Sequence, residues 1–237
     1  WKAVRISAQF CMHLMYKFST HSEYSVFFCT STQAPTLLPS QYGAKHMTTN
    51  MSDWFDAETA SRPYTAMIFY RGKWCPFCEG QLRELNGTFL KDLRALGGEL
   101  FGITSQSQAG VDEAGNEWGL DYKLVSDVEN ILAKRFDIAI TPKDIPGEYP
   151  NDMAQPGVVI LDQTGKVLVH WAIDPQEMNG FGALGRPTPE VIWAAFTAAR
   201  NGSDAVTFDG PTVDPAFLQA KYPAAYEAFE AWMKANA

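Results

Sequence analysis

Past Met51, hydrophobic positions follow two periods, one typical of strands and one typical of helices. Residues 65–70 (TAMIFY) form a short apolar run that indicates a buried strand. After it, apolar residues recur every three or four positions, which places them on one helix face: Cys78, Leu82, Leu85, Phe89, Leu93 and Leu96. We therefore expect a strand that leads directly into one long helix, which ends at Gly97-Gly98.

The rest of the chain continues this alternation. Strands are predicted at 99–104, 122–125, 156–161 and 166–171, and helices at 107–118, 128–136 and 188–200. The turn 162–165 (DQTG) is typical of an antiparallel hairpin between the last two strands. The pattern predicts an α/β protein with an additional helix after residue 213. Proline-rich residues 139–155 predict a long loop, which we expect to shape access to a neighbouring site.

Composition limits the number of domains and the classes of partner. With 237 residues, 46% of them hydrophobic, the chain is long enough for one substantial core and short for two large domains. We expect a central domain at 47–203 and a C-terminal helical extension at 204–237. The net charge of -8 argues against nucleic acid or an anionic membrane as a partner, because both attract basic surfaces. No apolar run approaches the ~20 residues that span a bilayer.

Residues 1–46 differ from the rest of the chain. They contain four basic residues against one acidic residue, include Cys11 and Cys29, and lack sustained periodicity. Three explanations are open: a targeting peptide, an added or upstream-translated segment before a native start at Met47 or Met51, or a true accessory region. We favour a non-core extension. The expected location is the cytoplasm, or an organelle if residues 1–46 are a true transit segment.

The most informative motif is CPFC, which begins at Cys75 between the first strand and its helix. Pro76 suits the first helical position, because its fixed φ favours the helix and its missing N–H is not needed there. Cys75 then stands at the helix start, where unpaired N–H groups and the helix dipole favour a thiolate, and Arg71 and Lys73 add positive charge. Cys78 follows one turn later. The spacing therefore predicts Cys75 as the attacking thiol and Cys78 as the resolving thiol.

Two other interpretations of this cysteine pair are weaker. A zinc site is disfavoured because tetrahedral zinc takes four ligands, and Cys11 and Cys29 do not form a second closely spaced pair. A purely structural disulfide is disfavoured because a two-residue loop constrains the unfolded chain little. The sequence contains no phosphate loop and no dinucleotide fingerprint. We therefore expect redox chemistry without a bound cofactor or metal.

The order of elements resembles the thioredoxin fold. Four stretches resemble its peroxiredoxin-like branch, the AhpC/TSA family: FYRGKWCPFC, LFGITSQS, YKLVSDVENILAKRFDI and PGVVILDQTGKVLVHW. The resemblance covers about residues 60–200 and implies a mixed central sheet flanked by helices, to which this chain adds its two extensions.

The resemblance also implies roles for individual residues. Cys75 matches the thioredoxin-type nucleophile, Cys78 matches the resolving thiol, and Trp74 matches the aromatic residue before the motif. Pro156 matches the position at which thioredoxin folds keep a cis-proline that faces the cysteines, with an ordinary trans proline as the alternative. CPFC is also similar to the CPYC motif of glutaredoxins, which implies glutathione as an alternative reductant.

The peroxiredoxin pattern implies a different assignment. That family resembles P-x-x-x-T-x-x-C around its peroxidatic cysteine; here Cys78 occupies the cysteine position, Cys75 replaces the threonine, and Arg71 replaces the proline. We follow the helix-terminus argument and choose Cys75, with Arg71 as a cation that stabilises a thiolate or a peroxide oxygen. Without the threonine we expect slow peroxide reduction, whereas disulfide exchange asks only for an accessible thiolate and a second thiol.

The resulting hypothesis is a thiol-disulfide oxidoreductase of the peroxiredoxin-like group, which cycles Cys75 and Cys78 between dithiol and disulfide in antioxidant or redox-homeostasis chemistry. The implied partners are a thiol reductant such as thioredoxin or glutathione and a peroxide or disulfide substrate. The sequence does not determine the oligomeric state. The alternatives are a thiol-dependent peroxidase proper and a non-enzymatic redox-sensing or binding module, in which oxidation changes the loop at 139–155.

The different composition of residues 1–46 leads to a direct prediction. A protein that starts at Met47 is expected to fold and to exchange thiols like the full chain, because the removed residues contribute no periodic apolar face. The measurement compares the melting temperature and thiol-exchange rate of the two proteins. A shortened protein that fails to fold would contradict the prediction.

Overall fold

The computed structural model describes residues 50–143, 149–176, 179–203 and 215–236, and its centre is a five-stranded mixed sheet. The elements in chain order are α1 (Met51–Ala60), β1 (Tyr64–Phe69), α2 (Pro76–Leu85), α3 (Thr88–Ala95), β2 (Glu99–Thr104), α4 (Gln108–Trp118), β3 (Lys123–Ser126), α5 (Ile131–Arg135), β4 (Ile140–Thr141), β5 (Met153–Ala154), β6 (Gly157–Asp162), β7 (Val167–Ala172), α6 (Pro189–Arg200), α7 (Pro215–Lys221) and α8 (Pro223–Asn236). Residues 1–46 lie outside the described residues, so their role as a non-core extension stays a prediction.

The sheet has the strand order β3-β2-β1-β6-β7. The strand pairs β1–β2 and β2–β3 are parallel, whereas β6 runs antiparallel to both β1 and β7. The strand β1 therefore lies at the centre of the sheet. The predicted α/β class with a mixed central sheet is confirmed.

Two hydrophobic clusters cover the two faces of the sheet. Successive side chains of a strand point to opposite faces, so Ala66 and Ile68 enter one cluster while Met67 and Phe69 enter the other. The first cluster contains side chains from α2, α3, α4 and α6 together with the two cysteines. The second contains side chains from α1 and α5. The cysteine helix is thus packed on the central strand that precedes it.

The prediction of one long helix after the CPFC motif is wrong in one respect, because the segment forms two helices, α2 and α3. The break falls at Asn86 and Gly87, where Gly87 has φ −87° and ψ −123°, outside the helical region. The Asn86 side chain also binds the chain elsewhere, since its Oδ1 accepts a 2.7 Å hydrogen bond from the Asp121 N–H. The apolar spacing continues across the break, so Leu82 and Phe89 still enter the same cluster.

The loop predicted at 139–155 contains a small sheet in its described part. Ile140 pairs with Ala154 and Thr141 with Met153 in an antiparallel arrangement. The C-terminal extension forms two helices, with Tyr222 between them and Pro223 at the start of the second. A proline disfavours helical geometry at the residue before it, which explains the break at Tyr222. Within the described ranges, no helix is long and apolar enough to cross a membrane.

Candidate active site

The CPFC motif occupies the junction of β1 and α2, as the sequence predicts. Cys75 is the N-cap residue of α2 and Pro76 is at its first turn. The Cys75 carbonyl oxygen accepts the first helical hydrogen bonds, from the Cys78 N–H at 3.0 Å and the Glu79 N–H at 3.1 Å. This arrangement places the Cys75 sulfur at the positive end of the helix and Cys78 one turn inside it.

Both cysteines are free thiols, and both are fully buried at 0% exposure. The expectation that Cys75 is an accessible thiolate is therefore wrong for this conformation. The physical reason is that two arginine side chains, Arg71 at 3% exposure and Arg186 at 0%, pack against the sulfur atoms. A reagent that reaches Cys75 must be small or must wait for a local opening.

Two buried guanidinium groups donate hydrogen bonds to the sulfur atoms. Arg71 Nη2 lies 3.5 Å from Cys75 Sγ, and Arg186 Nη2 lies 3.7 Å from the same atom. Arg186 also reaches Cys78, with Nη1 at 3.4 Å from Sγ, and the Arg71 backbone N–H lies 3.4 Å from Cys78 Sγ. Each guanidinium thus contacts the cysteine pair. When one of the two thiols ionises, its single negative charge is therefore next to two positively charged guanidinium groups.

The environment separates the pKa values of the two thiols. Burial raises the pKa of Cys75, but the hydrogen bond from Cys78 and the charges of Arg71 and Arg186 lower it more, so that it falls well below that of an ordinary thiol. Burial and the neighbouring Cys75 hold the pKa of Cys78 well above its ordinary value, although Arg186 acts in the opposite direction. Cys75 is therefore the ionised member of the pair.

An aromatic contact fixes the loop between β1 and Cys75. The Tyr149 hydroxyl donates a hydrogen bond to the Arg71 carbonyl oxygen and accepts one of 2.8 Å from Trp74 Nε1. The Arg71 guanidinium lies 4.9 Å from the centre of the Trp74 ring. Gly72 has φ +152°, and a Cβ atom there would overlap the Tyr149 hydroxyl. Tyr149 therefore sets the backbone from which the Arg71 side chain reaches Cys75.

A buried carboxylate lies next to the motif. Glu79 is fully buried and its Oε1 accepts a 2.8 Å hydrogen bond from Arg83 Nε. Lys221 Nζ forms an ion pair with the same oxygen, and the Tyr222 hydroxyl donates to Glu79 Oε2. The C-terminal extension is thus bound directly to the cysteine helix.

Pro156 lies immediately before β6, and its peptide bond is not the expected isomer. It is buried at the start of β6, whose first residue, Gly157, pairs with Phe69 at the end of β1. All described peptide bonds are trans, so the cis-proline expectation is wrong. The backbone is hydrogen-bonded on both sides of this bond, where the Gln155 N–H donates to Ala139 O and Pro156 O accepts from the Ile173 N–H.

Sequence reasoning missed Arg186, Tyr149 and Glu79. Arg186 lies 108 residues after Cys78, and only its position in an otherwise apolar segment, FGALGRP, sets it apart in the sequence. Glu79 is an acid within the core-facing first turn of α2, which is an unusual place for a charged side chain. Tyr149 carries no sequence signal. In the described part of the chain, no group of three or more His, Cys, Asp or Glu side chains is placed to hold a metal ion.

Solved structures with similar chains include several peroxiredoxins. Peroxidoxin BcpB from Mycobacterium tuberculosis is 15% identical, with a TM-score of 0.46 over 63% of this chain and 86% of that one. The bacterioferritin comigratory protein of Xanthomonas campestris is 18% identical, with a TM-score of 0.44 over 60% and 80%. The reduced 2-Cys peroxiredoxin of Plasmodium vivax is 16% identical, with a TM-score of 0.43 over 59% and 78%.

The family assignment rests on the sequence itself. No curated protein matches the chain. The AhpC/TSA family model matches residues 44–170, which is more than half of the chain and includes the CPFC motif and the strands β1 to β6. The chain therefore belongs to the AhpC/TSA family.

Proposed function

We propose that this chain is a peroxiredoxin-like thiol oxidoreductase in which Cys75 attacks a small hydroperoxide and Cys78 resolves the product. The observation that carries the proposal is the buried Cys75 sulfur at a helix N-terminus, within reach of two guanidinium groups and hydrogen-bonded to Cys78. A thiolate is the reactive form of cysteine, and this environment favours it at neutral pH. The same dithiol pair supports the disulfide cycle predicted from the sequence.

The proposed reaction uses the two thiols in sequence. The Cys75 thiolate attacks one peroxide oxygen, an S–O bond forms, the O–O bond breaks, and the alkoxide or hydroxide that leaves takes a proton from solvent. The Cys78 thiol then attacks the sulfenic acid sulfur, a disulfide forms, and water leaves. An external thiol reductant, such as thioredoxin or glutathione, restores the dithiol by exchange. Both sulfur atoms contact the Arg186 guanidinium, so the resolving thiol is close to Cys75 when the second step begins.

The arginines support a peroxide as the oxidant. Breaking the O–O bond develops negative charge on the departing oxygen, and positioned donors near that charge supply much of the rate. Arg71 and Arg186 are two such cations, and the Nε atom of each is buried without a hydrogen-bond partner among the described residues. We propose that these donors take the place of the threonine hydroxyl that the sequence lacks, and this proposal replaces the sequence-based expectation of slow peroxide reduction.

Exchange with protein disulfides is the second candidate, because a CxxC pair provides an attacking and a resolving thiol. The burial of Cys75 argues against it as the main reaction, since a protein disulfide must bring its sulfur atom in line with the thiolate. The redox-sensing alternative has support from Tyr149, which lies in the segment 139–155 and binds the Arg71 carbonyl oxygen. Oxidation at Cys75 changes the charge beside Arg71 and thereby acts on that contact.

The order of ionisation gives the first test of this proposal. Because the pKa of Cys75 lies below its ordinary value, its alkylation by the small reagent iodoacetamide is expected to reach its full rate at a lower pH than that of an ordinary thiol. Arg186→Gln should raise the pKa of Cys75 and move its alkylation profile to higher pH, because one of the two guanidinium charges that favour the thiolate is lost. Peptide mass spectrometry assigns the modified cysteine at each pH.

The matched control for this test is Arg94→Gln, which removes an exposed guanidinium that pairs with Glu99 at 2.9 Å. It should leave the alkylation profile unchanged. Modification of Cys78 before Cys75 would reverse the assignment and support the peroxidatic position of Cys78.

The choice of substrate is tested by turnover with peroxide and with insulin disulfide in parallel, using the same thiol donor. We expect a preference for peroxide of about a hundredfold, because the two guanidinium groups act on the departing oxygen. Cys75→Ser should abolish both reactions, whereas Cys11→Ser should change neither. Faster turnover of insulin would favour disulfide exchange, and absence of turnover with every donor would favour a redox sensor.

A further inference from the structure

We infer that Lys221 and Tyr222 are specificity-determining residues, which limit the size of the molecules that reach Cys75 by binding the C-terminal helices to Glu79. The inference deepens the proposed function and rests on it for the role of Cys75. It concerns a part of the chain that lies beyond the residues matched by the AhpC/TSA family, since that match ends at residue 170.

Glu79 connects the C-terminal helices with the face of α2 that carries Cys75. The two residues are four positions apart in sequence, so they lie on the same side of the first helical turn. Glu79 is fully buried, although a carboxylate in the first turn of a helix is normally solvated. Of its three partners among the described residues, Lys221 and Tyr222 come from the C-terminal extension and Arg83 comes from α2. The helix α7 also packs against α2.

The Tyr222 hydroxyl is close enough to the cysteine pair to be affected by its charge. Burial and the hydrogen bond to Glu79 raise the pKa of Tyr222, and the negative charge of Cys75 raises it further. Tyr222 therefore stays protonated and continues to donate to Glu79 while Cys75 is ionised. The hydrogen bond between Tyr222 and Glu79 is therefore kept while Cys75 is in its reactive, ionised form. In that form we expect only small molecules to reach the Cys75 sulfur atom.

Loss of the two C-terminal partners leaves the buried Glu79 carboxylate with the half-exposed Arg83 as its remaining ion-pair partner and with no donor to Oε2 among the described residues. A buried carboxylate with a missing partner is strongly unfavourable, so the chain relaxes until water reaches Glu79. That relaxation separates the C-terminal helices from the first turn of α2. Cys75, on the same turn, then becomes accessible to bulky reagents, whereas access for small reagents changes little.

The test compares two maleimides of equal chemistry and different size, N-ethylmaleimide and a maleimide that carries a long polyethylene glycol chain. The rates are measured on the full, reduced chain. Peptide mass spectrometry reports the labelling of Cys75 separately, so labelling of Cys11 and Cys29 does not enter the measured rates. In the double variant Lys221→Met, Tyr222→Phe, the ratio of the small-reagent rate to the large-reagent rate should fall about tenfold or more, because two charge-assisted hydrogen bonds are lost. Glu79→Gln should lower the ratio in the same direction.

The matched control is Tyr226→Phe with Lys234→Met, which removes a hydroxyl that binds Glu230 and an exposed charge, both on α8 and neither in contact with Glu79. It should keep the wild-type ratio. An unchanged ratio in the double variant and in Glu79→Gln would overturn the inference. The ratio of the two maleimide rates can be measured whatever the pKa of Cys75. A lowered ratio together with an ordinary pKa for Cys75 would therefore contradict the proposed function and leave this inference in place.

Discussion

The site depends on a negative charge that is held on a fully buried sulfur atom. Burial alone favours the neutral thiol, because a charge loses its hydration in a low-dielectric interior. In this chain the N-terminus of α2 and the guanidinium groups of Arg71 and Arg186 compensate for that loss. If one guanidinium group is removed, the remaining positive charge compensates less of the free energy that the Cys75 thiolate loses on desolvation. The arginines themselves are buried, so their charges depend on the thiolate in turn.

The fold supplies each of these charges from a different position in the chain. The strand β1 is central and ends at Phe69, two residues before Arg71, so the arginine backbone follows directly from a rigid element. Arg186 comes from the loop before α6, which packs on the same face of the sheet as α2. Tyr149 holds the Arg71 carbonyl oxygen from a third segment. Long-range packing therefore determines the pKa of a cysteine whose immediate sequence neighbours explain only part of it.

Local patterns predicted the elements and the position of the motif but not the surroundings of the sulfur atoms. Apolar periodicity identifies β1 and α2, and Pro76 identifies the helix start, because both signals act within one or two turns of the chain. The burial of Cys75 was missed, since one of the two arginines that pack against its sulfur atom, Arg186, lies 111 residues away in the sequence. The break at Gly87 was missed for a similar reason, because the Asn86 side chain is held by Asp121. The isomer of the bond before Pro156 is not determined by the presence of a proline, so the motif alone could not predict the trans bond.

The most direct measurement is trapping of the first oxidation product. The variant Cys78→Ser cannot form the intramolecular disulfide, so one equivalent of hydroperoxide in the presence of dimedone should label Cys75 as a sulfenic acid adduct. Peptide mass spectrometry then locates the adduct. The account predicts dimedone on Cys75 in this variant and no adduct on Cys78 in Cys75→Ser. An adduct on Cys78 in Cys75→Ser, formed at the same rate, would contradict the assignment of Cys75 as the attacking thiol.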